Sequence, residues 1–213
     1  MIEVKILFHG VHRDFEKDGL KYIDDVTSSV TLLKSAGQVI LIDSGSPMYE
    51  EKLLSALKEN SVEPGNVNWI IITHLHDDHV GNNHLFKNAK RVEGNWVLDF
   101  NNKLYTAYKR NLHVPLPKEI EIINTPGHTS PHFSVIIKKD GKNMVFSGDA
   151  VRRKMLDENY LPDGEDVSKM IDSALELCEI ADEIIPGHGA NLGKEEIGKI
   201  KNNLLKFKNR TPQ

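Results

Sequence analysis

Three histidines and two aspartates fall within six residues of this chain, in the stretch 74–79, H-L-H-D-D-H. The cluster follows the apolar run 69–72, W-I-I-I, which predicts a buried strand. Neutral imidazole nitrogens and ionised carboxylates are ligands of zinc, iron and manganese in proteins. One tetrahedral ion cannot take four ligands from so short a loop, so the spacing H-x-H-x-D-H predicts two metals. A polar, solvated loop would account for two histidines but not for this arrangement.

The motif His74-x-His76-x-Asp78-His79 resembles the metal-binding motif of the metallo-β-lactamase superfamily of hydrolases. This resemblance implies three further ligands downstream: a His, an Asp and a His, each at the end of a strand. The chain supplies residues of these types in that order: His128 in T-P-G-H, Asp149 in F-S-G-D and His188 in P-G-H-G. The resemblance runs from about residue 28 to residue 188 and so covers most of the chain.

The resemblance also implies a role for each ligand. The first metal would be held by His74, His76 and His128, the second by Asp78, His79 and His188, and Asp149 would bridge them. The expected cofactors are two divalent ions, zinc in the first place, with iron and manganese as alternatives. A metal-bridging hydroxide would be the nucleophile. Asp78 would also steer a proton to the leaving group, and Asp43 would support the metal loop without touching a metal.

Each ligand group follows an apolar run typical of a strand, at 69–72, 120–123, 144–146 and 184–185. Strand ends fix the positions of loops firmly, so this pattern predicts a rigid site. The resemblance implies an α+β fold, the four-layer αββα sandwich of the metallo-β-lactamases. The alternation of strand-like runs with amphipathic helical stripes agrees with that fold.

Length and composition narrow the class of protein. A chain of 213 residues predicts one domain over 1–213 with a sizeable core. The net charge of −4 disfavours a general nucleic-acid-binding surface, although a local basic patch stays open. The single cysteine, Cys178, is predicted to be a packed core thiol. No run approaches ~20 apolar residues, and the N-terminus lacks a signal-peptide pattern, so we expect a cytoplasmic protein without a membrane span.

Two stretches are predicted to be irregular. Residues 9–25 are polar and are expected to form a surface loop, with His9, His12 and Arg13 on it. The alternative is that these three side chains line the mouth of the site. Residues 93–118 are expected to form a long loop. Its aromatic and basic residues would form either a substrate wall over the metals or satellite packing; among them are Trp96, Tyr105, Tyr108, Lys109, Arg110 and His113.

A basic run, Arg152-Arg153-Lys154, begins three residues after Asp149. We predict that Arg152 and Arg153 bind substrate by gripping a carboxylate or phosphate, which suits the planar guanidinium fork. The alternative is a solvated run of charges. His132 is predicted to support the site or the core rather than to bind metal, and Asp77 to be a loop residue.

The substrate class must come from what surrounds the ligands, since several branches of the superfamily share them. Too little chain follows His188 for the helical region of glyoxalase II-like thioesterases, and Arg152 stands where quorum-quenching lactonases have a Tyr. We predict a dinuclear metal-dependent hydrolase that cleaves a small ester, thioester or lactone, which could be anionic. The alternatives are a small nuclease of the same fold and a mononuclear-iron persulfide dioxygenase. Assembly into a homo-oligomer stays open.

Overall fold

The computed structural model describes residues 1–93, 96–107, 115–160 and 162–210. The chain divides into two compact units, Met1–Pro117 and Lys118–Gln213. The expectation of one domain over 1–213 stays a prediction. Among the helices that the structure describes, none is both long and apolar enough to cross a membrane.

The first unit contains a mixed sheet. In the described residues its seven strands, in spatial order, are β1 (Glu3–Phe8), β4 (Val30–Ser35), β5 (Gln38–Ile42), β6 (Trp69–Ile72), β7 (Lys90–Glu93), β8 (Trp96–Asp99) and β9 (Leu104–Ala107). Strand β6 is parallel to both of its neighbours, β5 and β7, and all four of its residues are buried. This matches the unbroken apolar run expected of an interior parallel strand. Helix α1 (Glu50–Glu59) buries Leu53 and Leu57 in the same core as Ile70.

The loop predicted for residues 9–25 is wrong, because this stretch forms a hairpin of β2 (Val11–Lys17) and β3 (Leu20–Thr27). The hairpin turns at Asp18 and Gly19, which have φ values of 55° and 73°. An Asp-Gly pair with positive φ at both residues is a preferred two-residue hairpin turn. The strands escaped prediction because most of their side chains are exposed, and so they show no apolar alternation.

The irregular segment predicted for residues 93–118 is also wrong over residues 96–107, where β8 and β9 pair with each other. Both strands are only four residues long, and on β8 the consecutive residues Val97 and Leu98 are both buried, so β8 shows no period of two. The remainder of the predicted wall, including Tyr108, Lys109, Arg110 and His113, lies outside the described residues.

The second unit has its own sheet of β10 (Ile120–Asn124), β11 (Phe133–Lys139), β12 (Lys142–Gly148) and β13 (Glu183–Pro186), in that spatial order. The predicted hairpin turn at Asp140-Gly141 is confirmed, with φ values of 51° and 73°. Strand β13 runs parallel to β12. This pairing brings the segments that carry Asp149 and His188 to the same end of neighbouring strands.

Helices α3 (Val167–Ile180) and α4 (Lys194–Arg210) supply the core of the second unit. Helix α3 begins after Asp166, whose side chain accepts a hydrogen bond from the backbone N–H of Lys169 at 3.0 Å. Cys178 is buried in this core, which confirms its predicted packing role. Burial raises the pKa of the Cys178 thiol to about 12, so the sulfur stays protonated at neutral pH.

Candidate metal centre

The histidine-rich loop of the first unit begins where β6 ends. Thr73, His74 and His79 are buried, Asp78 is half-buried, and the short helix α2 (Asp77–Val80) carries the last three titratable residues of the loop. The buried polar groups of this loop need hydrogen-bond partners within the protein. The neighbouring strand β5 provides one, because Asp43 follows directly after it.

Asp43 determines which ring nitrogen of His79 carries the hydrogen. Its Oδ1 accepts a hydrogen bond from the Thr73 backbone N–H at 2.8 Å, and its Oδ2 lies 2.8 Å from both the Thr73 hydroxyl and Nδ1 of His79. An ionised carboxylate can only accept, so Nδ1 of His79 carries the hydrogen and Nε2 keeps the lone pair that a metal needs. The supporting position expected for Asp43 agrees with these contacts.

The two other histidines of the loop turn ring nitrogens toward each other. Nε2 of His74 lies 3.0 Å from Nδ1 of His76, while Nδ1 of His74 faces the Thr73 hydroxyl at 3.2 Å. Two ligand atoms about 2.0–2.1 Å from one tetrahedral zinc ion stand about 3.3 Å apart. The separation of 3.0 Å is within a few tenths of an ångström of that edge, so this pair fits a shared ion. Oδ2 of Asp78 lies 3.8 Å from Nε2 of His79, which also permits a shared ion.

In the second unit the central residue is Asp149, which follows β12 and is almost fully buried. Its Oδ2 lies 3.5 Å from Nε2 of His128, and its Oδ1 lies 3.5 Å from Nε2 of His188. Both distances are too long for good hydrogen bonds but close to the edge of a zinc coordination tetrahedron. Each carboxylate oxygen therefore pairs with a different histidine, as a carboxylate shared by two metals would.

His132 fixes the backbone of Asp149. The Asp149 N–H donates to Nε2 of His132 at 3.1 Å, and Nδ1 of His132 lies 3.0 Å from the Thr125 hydroxyl. Because Nε2 accepts, the ring hydrogen is on Nδ1 and is directed at Thr125. Both ring nitrogens are thus engaged within the protein, in agreement with the supporting position expected for His132.

The two arginines after Asp149 are engaged in internal contacts. Nη2 of the buried Arg152 donates to the Asp163 carbonyl and the Tyr160 hydroxyl, both at 2.8 Å, and pairs with the Asp163 carboxylate. Arg153 donates to the Asn191 carbonyl at 3.1 Å and pairs with Glu196 at 2.5 Å. These contacts give no support to the predicted substrate-binding role of the arginines, which stays a prediction.

Comparison with known proteins gives the family. The chain is 32% identical over 191 residues to metallo-beta-lactamase domain-containing protein 1 of Xenopus laevis, covering 87% of this chain and 79% of that protein. The chain belongs to the metallo-β-lactamase superfamily. The model of that superfamily matches residues 23–95, which include the histidine-rich loop.

A second relative agrees with this assignment, and a solved structure shows the fold. A Methanocaldococcus jannaschii protein named a probable metallo-hydrolase is 31% identical over 160 residues, or 74% of each chain. A Thermotoga maritima protein described as a "putative metallo-beta-lactamase" has a solved structure that matches with a TM-score of 0.67 and 19% identity. That match covers 90% of this chain and 99% of the other, and it confirms the α+β metallo-β-lactamase fold. Superfamily membership makes this chain a member of a group of metal-dependent hydrolases.

The hydrogen bonds of Asp43 lead to a prediction for metal affinity. In Asp43→Asn the side-chain amide places an N–H group where Oδ2 now faces Nδ1–H of His79, so two donors oppose each other. His79 is then expected to change tautomer and present N–H at Nε2. Loss of such a supporting contact lowers metal affinity by about 10–100-fold. Zinc competition with a chromophoric chelator measures this change.

The matched control for that measurement is Asp77→Asn, an exposed residue of the same loop. It makes the same chemical change, and we expect wild-type zinc affinity. An Asp43→Asn protein that binds zinc as tightly as the Asp77→Asn protein would show that Asp43 does not set the tautomer of His79.

Proposed function

We propose that this chain is a dinuclear metal-dependent hydrolase that cleaves a small ester, thioester or lactone. In this proposal the metal is zinc, held by the histidine and aspartate ligands that the family motif supplies. The observation that carries it is Asp149, whose two oxygens each lie 3.5 Å from a different histidine. A carboxylate that served a single ion would not need to divide its oxygens in this way.

The donor set fits divalent zinc. It consists of imidazole nitrogens and carboxylates, and the single cysteine is buried as a protonated thiol in the α3–α4 core. When bound, two such ions supply Lewis acidity and lower the pKa of a water ligand from 15.7 toward roughly 7. No serine or cysteine nucleophile is then required for hydrolysis.

The chain's own residues would hold and orient the reacting groups. His79 is held by Asp43, and the backbone of Asp149 is held by His132, so ligands from both units are fixed by neighbouring side chains. Rigid ligands keep the reacting atoms at the distance and orientation that the reaction requires, and this contributes much of catalytic efficiency. Asp78 is half-buried, which allows its carboxylate to carry a proton to the leaving group while Oδ2 stays near His79.

The substrate proposal favours carboxyl derivatives over phosphodiesters. For the nuclease alternative, the run Arg152-Arg153-Lys154 would have to bind phosphate. All three cations have carboxylate partners inside the second unit, Asp163 for Arg152 and Lys154 and Glu196 for Arg153. A phosphodiester would have to compete with those carboxylates for the same cations.

Elemental analysis of protein purified without added metal, followed by a substrate panel, tests this function. We expect close to two zinc ions per chain and hydrolysis of p-nitrophenyl esters, thioesters or lactones. Chelation should abolish turnover, and zinc should restore it. A single iron per chain with oxygen-dependent activity would favour the persulfide dioxygenase. Turnover confined to bis(p-nitrophenyl) phosphate or RNA would favour the nuclease.

A further inference from the structure

Arg152 and Arg153 are adjacent in sequence, yet they hold two different segments of the second unit. Arg152 binds the segment that contains Asp163, and Arg153 binds the segment from Ala190 to Glu196. Both arginines belong to the loop that follows Asp149. We propose that they are positioning residues that fix His128 and His188, respectively, on the two sides of Asp149.

The contacts of Arg152 lead to His128 through the backbone. Nη2 of Arg152 binds the carbonyl and the carboxylate of Asp163, and Tyr160 donates its hydroxyl to the same carboxylate. Burial raises the pKa of Asp163, but the hydrogen bond from Tyr160 and the charge of Arg152 outweigh it, and the net pKa is lowered. An ionised Asp163 is therefore maintained as the partner of Arg152 at neutral pH.

The segment after Asp163 is bonded directly to the loop that carries His128. The backbone N–H groups of Glu165 and Asp166 donate to the carbonyls of His128 and Gly127, at 3.2 and 2.9 Å. Gly164 lies so close that a Cβ there would stand 2.6 Å from the Gly127 carbonyl oxygen. A shift of Asp163 would therefore move the backbone of His128.

The contacts of Arg153 lead to His188 over a shorter path. Its aliphatic carbons pack on Gly189, where a Cβ would stand 3.2 Å from Cδ of Arg153. Its guanidinium donates to the Asn191 carbonyl and pairs with Glu196, which in turn accepts from the Gly193 N–H at 3.2 Å. Arg153 therefore covers the residue after His188 and binds the turn that leads into α4.

The two arginines thus explain how one loop can set two ligand distances. His128 and His188 come from different loops, yet each places Nε2 3.5 Å from an oxygen of Asp149. Each arginine joins its segment through an ion pair and at least one hydrogen bond to a backbone carbonyl, and these contacts are lost when the arginine is removed. Removal of Arg152 should disturb the Asp149–His128 pair, and removal of Arg153 should disturb the Asp149–His188 pair.

Amide hydrogen exchange in metal-free protein tests whether Arg152 and Arg153 hold their two segments in place. Arg152→Met should speed amide exchange at Glu165 and Asp166. Arg153→Met should speed amide exchange at Leu192, whose N–H donates to the Ile184 carbonyl and which follows Asn191, the residue that Arg153 binds. Local opening of such a segment should raise its exchange rate on the order of tenfold. Each variant should leave the other segment at its wild-type rate. Wild-type rates at all three amides in both variants would overturn the proposal.

Zinc affinity then tests whether the arginines position His128 and His188 as ligands. This second measurement rests on the proposed dinuclear centre. Each single variant should bind one of two zinc ions about 10–100-fold more weakly in competition with a chromophoric chelator. Arg152→Lys should recover most of this loss, because the acceptors of Arg152 converge on the single nitrogen Nη2. Faster exchange with wild-type zinc affinity would overturn the positioning role.

Leu177→Ala is the control for general loss of stability. Leu177 is fully buried on α3, and it lies in the hydrophobic core of the second unit rather than in a loop that carries a candidate ligand. This variant should unfold at a lower temperature yet bind both zinc ions as the wild type does. If it weakens zinc binding as much as the arginine variants, the positioning role is wrong. A wild-type protein that binds fewer than two zinc ions contradicts the proposed function, and the exchange measurement still decides whether the arginines hold the loops.

Discussion

Asp149→Ala is expected to lower kcat/KM for the best ester substrate by about a thousandfold or more, which corresponds to ~4 kcal/mol of transition-state stabilisation. Asp149 is the residue whose oxygens approach both His128 and His188, so in the proposed dinuclear centre its loss would remove a ligand from both metals. Metal ions contribute several kcal/mol of charge stabilisation to such reactions, and this contribution depends on their being held in place. Steady-state kinetics together with elemental analysis of the same sample measures both effects.

Two further variants separate this effect from a general loss of charge. Asp149→Asn keeps one oxygen and should retain more metal than Asp149→Ala. Asp172→Ala removes an exposed carboxylate of the same unit, paired with Lys208, and should leave both metal content and turnover unchanged. An Asp149→Ala protein with two metals and near-normal turnover would show that Asp149 is not a shared ligand.

The candidate ligands could be recognised in the sequence because each of them lies shortly after an apolar run that predicts a strand. His74, His76, Asp78 and His79 crowd a loop directly after a strand whose four residues are all buried. His128, Asp149 and His188 follow the predicted strands β10, β12 and β13, and the structure confirms those strands. Strand ends are recognisable from apolar runs and turn residues, and so the positions of ligands that follow them are recognisable too.

The surroundings of the ligands could not be found in the same way. Arg152 reads as one cation in an exposed basic run, and nothing in its spacing identifies Asp163, eleven residues later, as its partner. The pair Arg153–Glu196 is separated by 43 residues, and α3 and β13 lie between them. Such pairs are set by tertiary packing, which the local pattern of charges does not record. The same limit explains the β2–β3 hairpin, whose strands show no apolar alternation although its Asp18-Gly19 turn was visible in the sequence.

Gly127→Ala is expected to lower the free energy of unfolding of metal-free protein by about 2–6 kcal/mol. An added Cβ would lie 2.1 Å from the backbone nitrogen of Met170 and 2.3 Å from its Cα, in the first turns of α3. Overpacking typically costs about 1–3 kcal/mol. Gly127 also has a φ of 132°, and a non-glycine residue in such a conformation costs about 1–3 kcal/mol more.

Urea unfolding followed by circular dichroism measures this loss, and Gly198→Ala in α4 is its matched control. A Cβ at Gly198 meets no heavy atom within 4 Å, so the same substitution there should stabilise the helix by about 0.5–1 kcal/mol. Opposite signs are expected for the two glycines because Gly127 lies against α3 and has a positive φ, whereas a Cβ at Gly198 meets open space. A Gly127→Ala protein as stable as wild type would mean that the loop has room to move, and the close packing that fixes His128 would then be wrong.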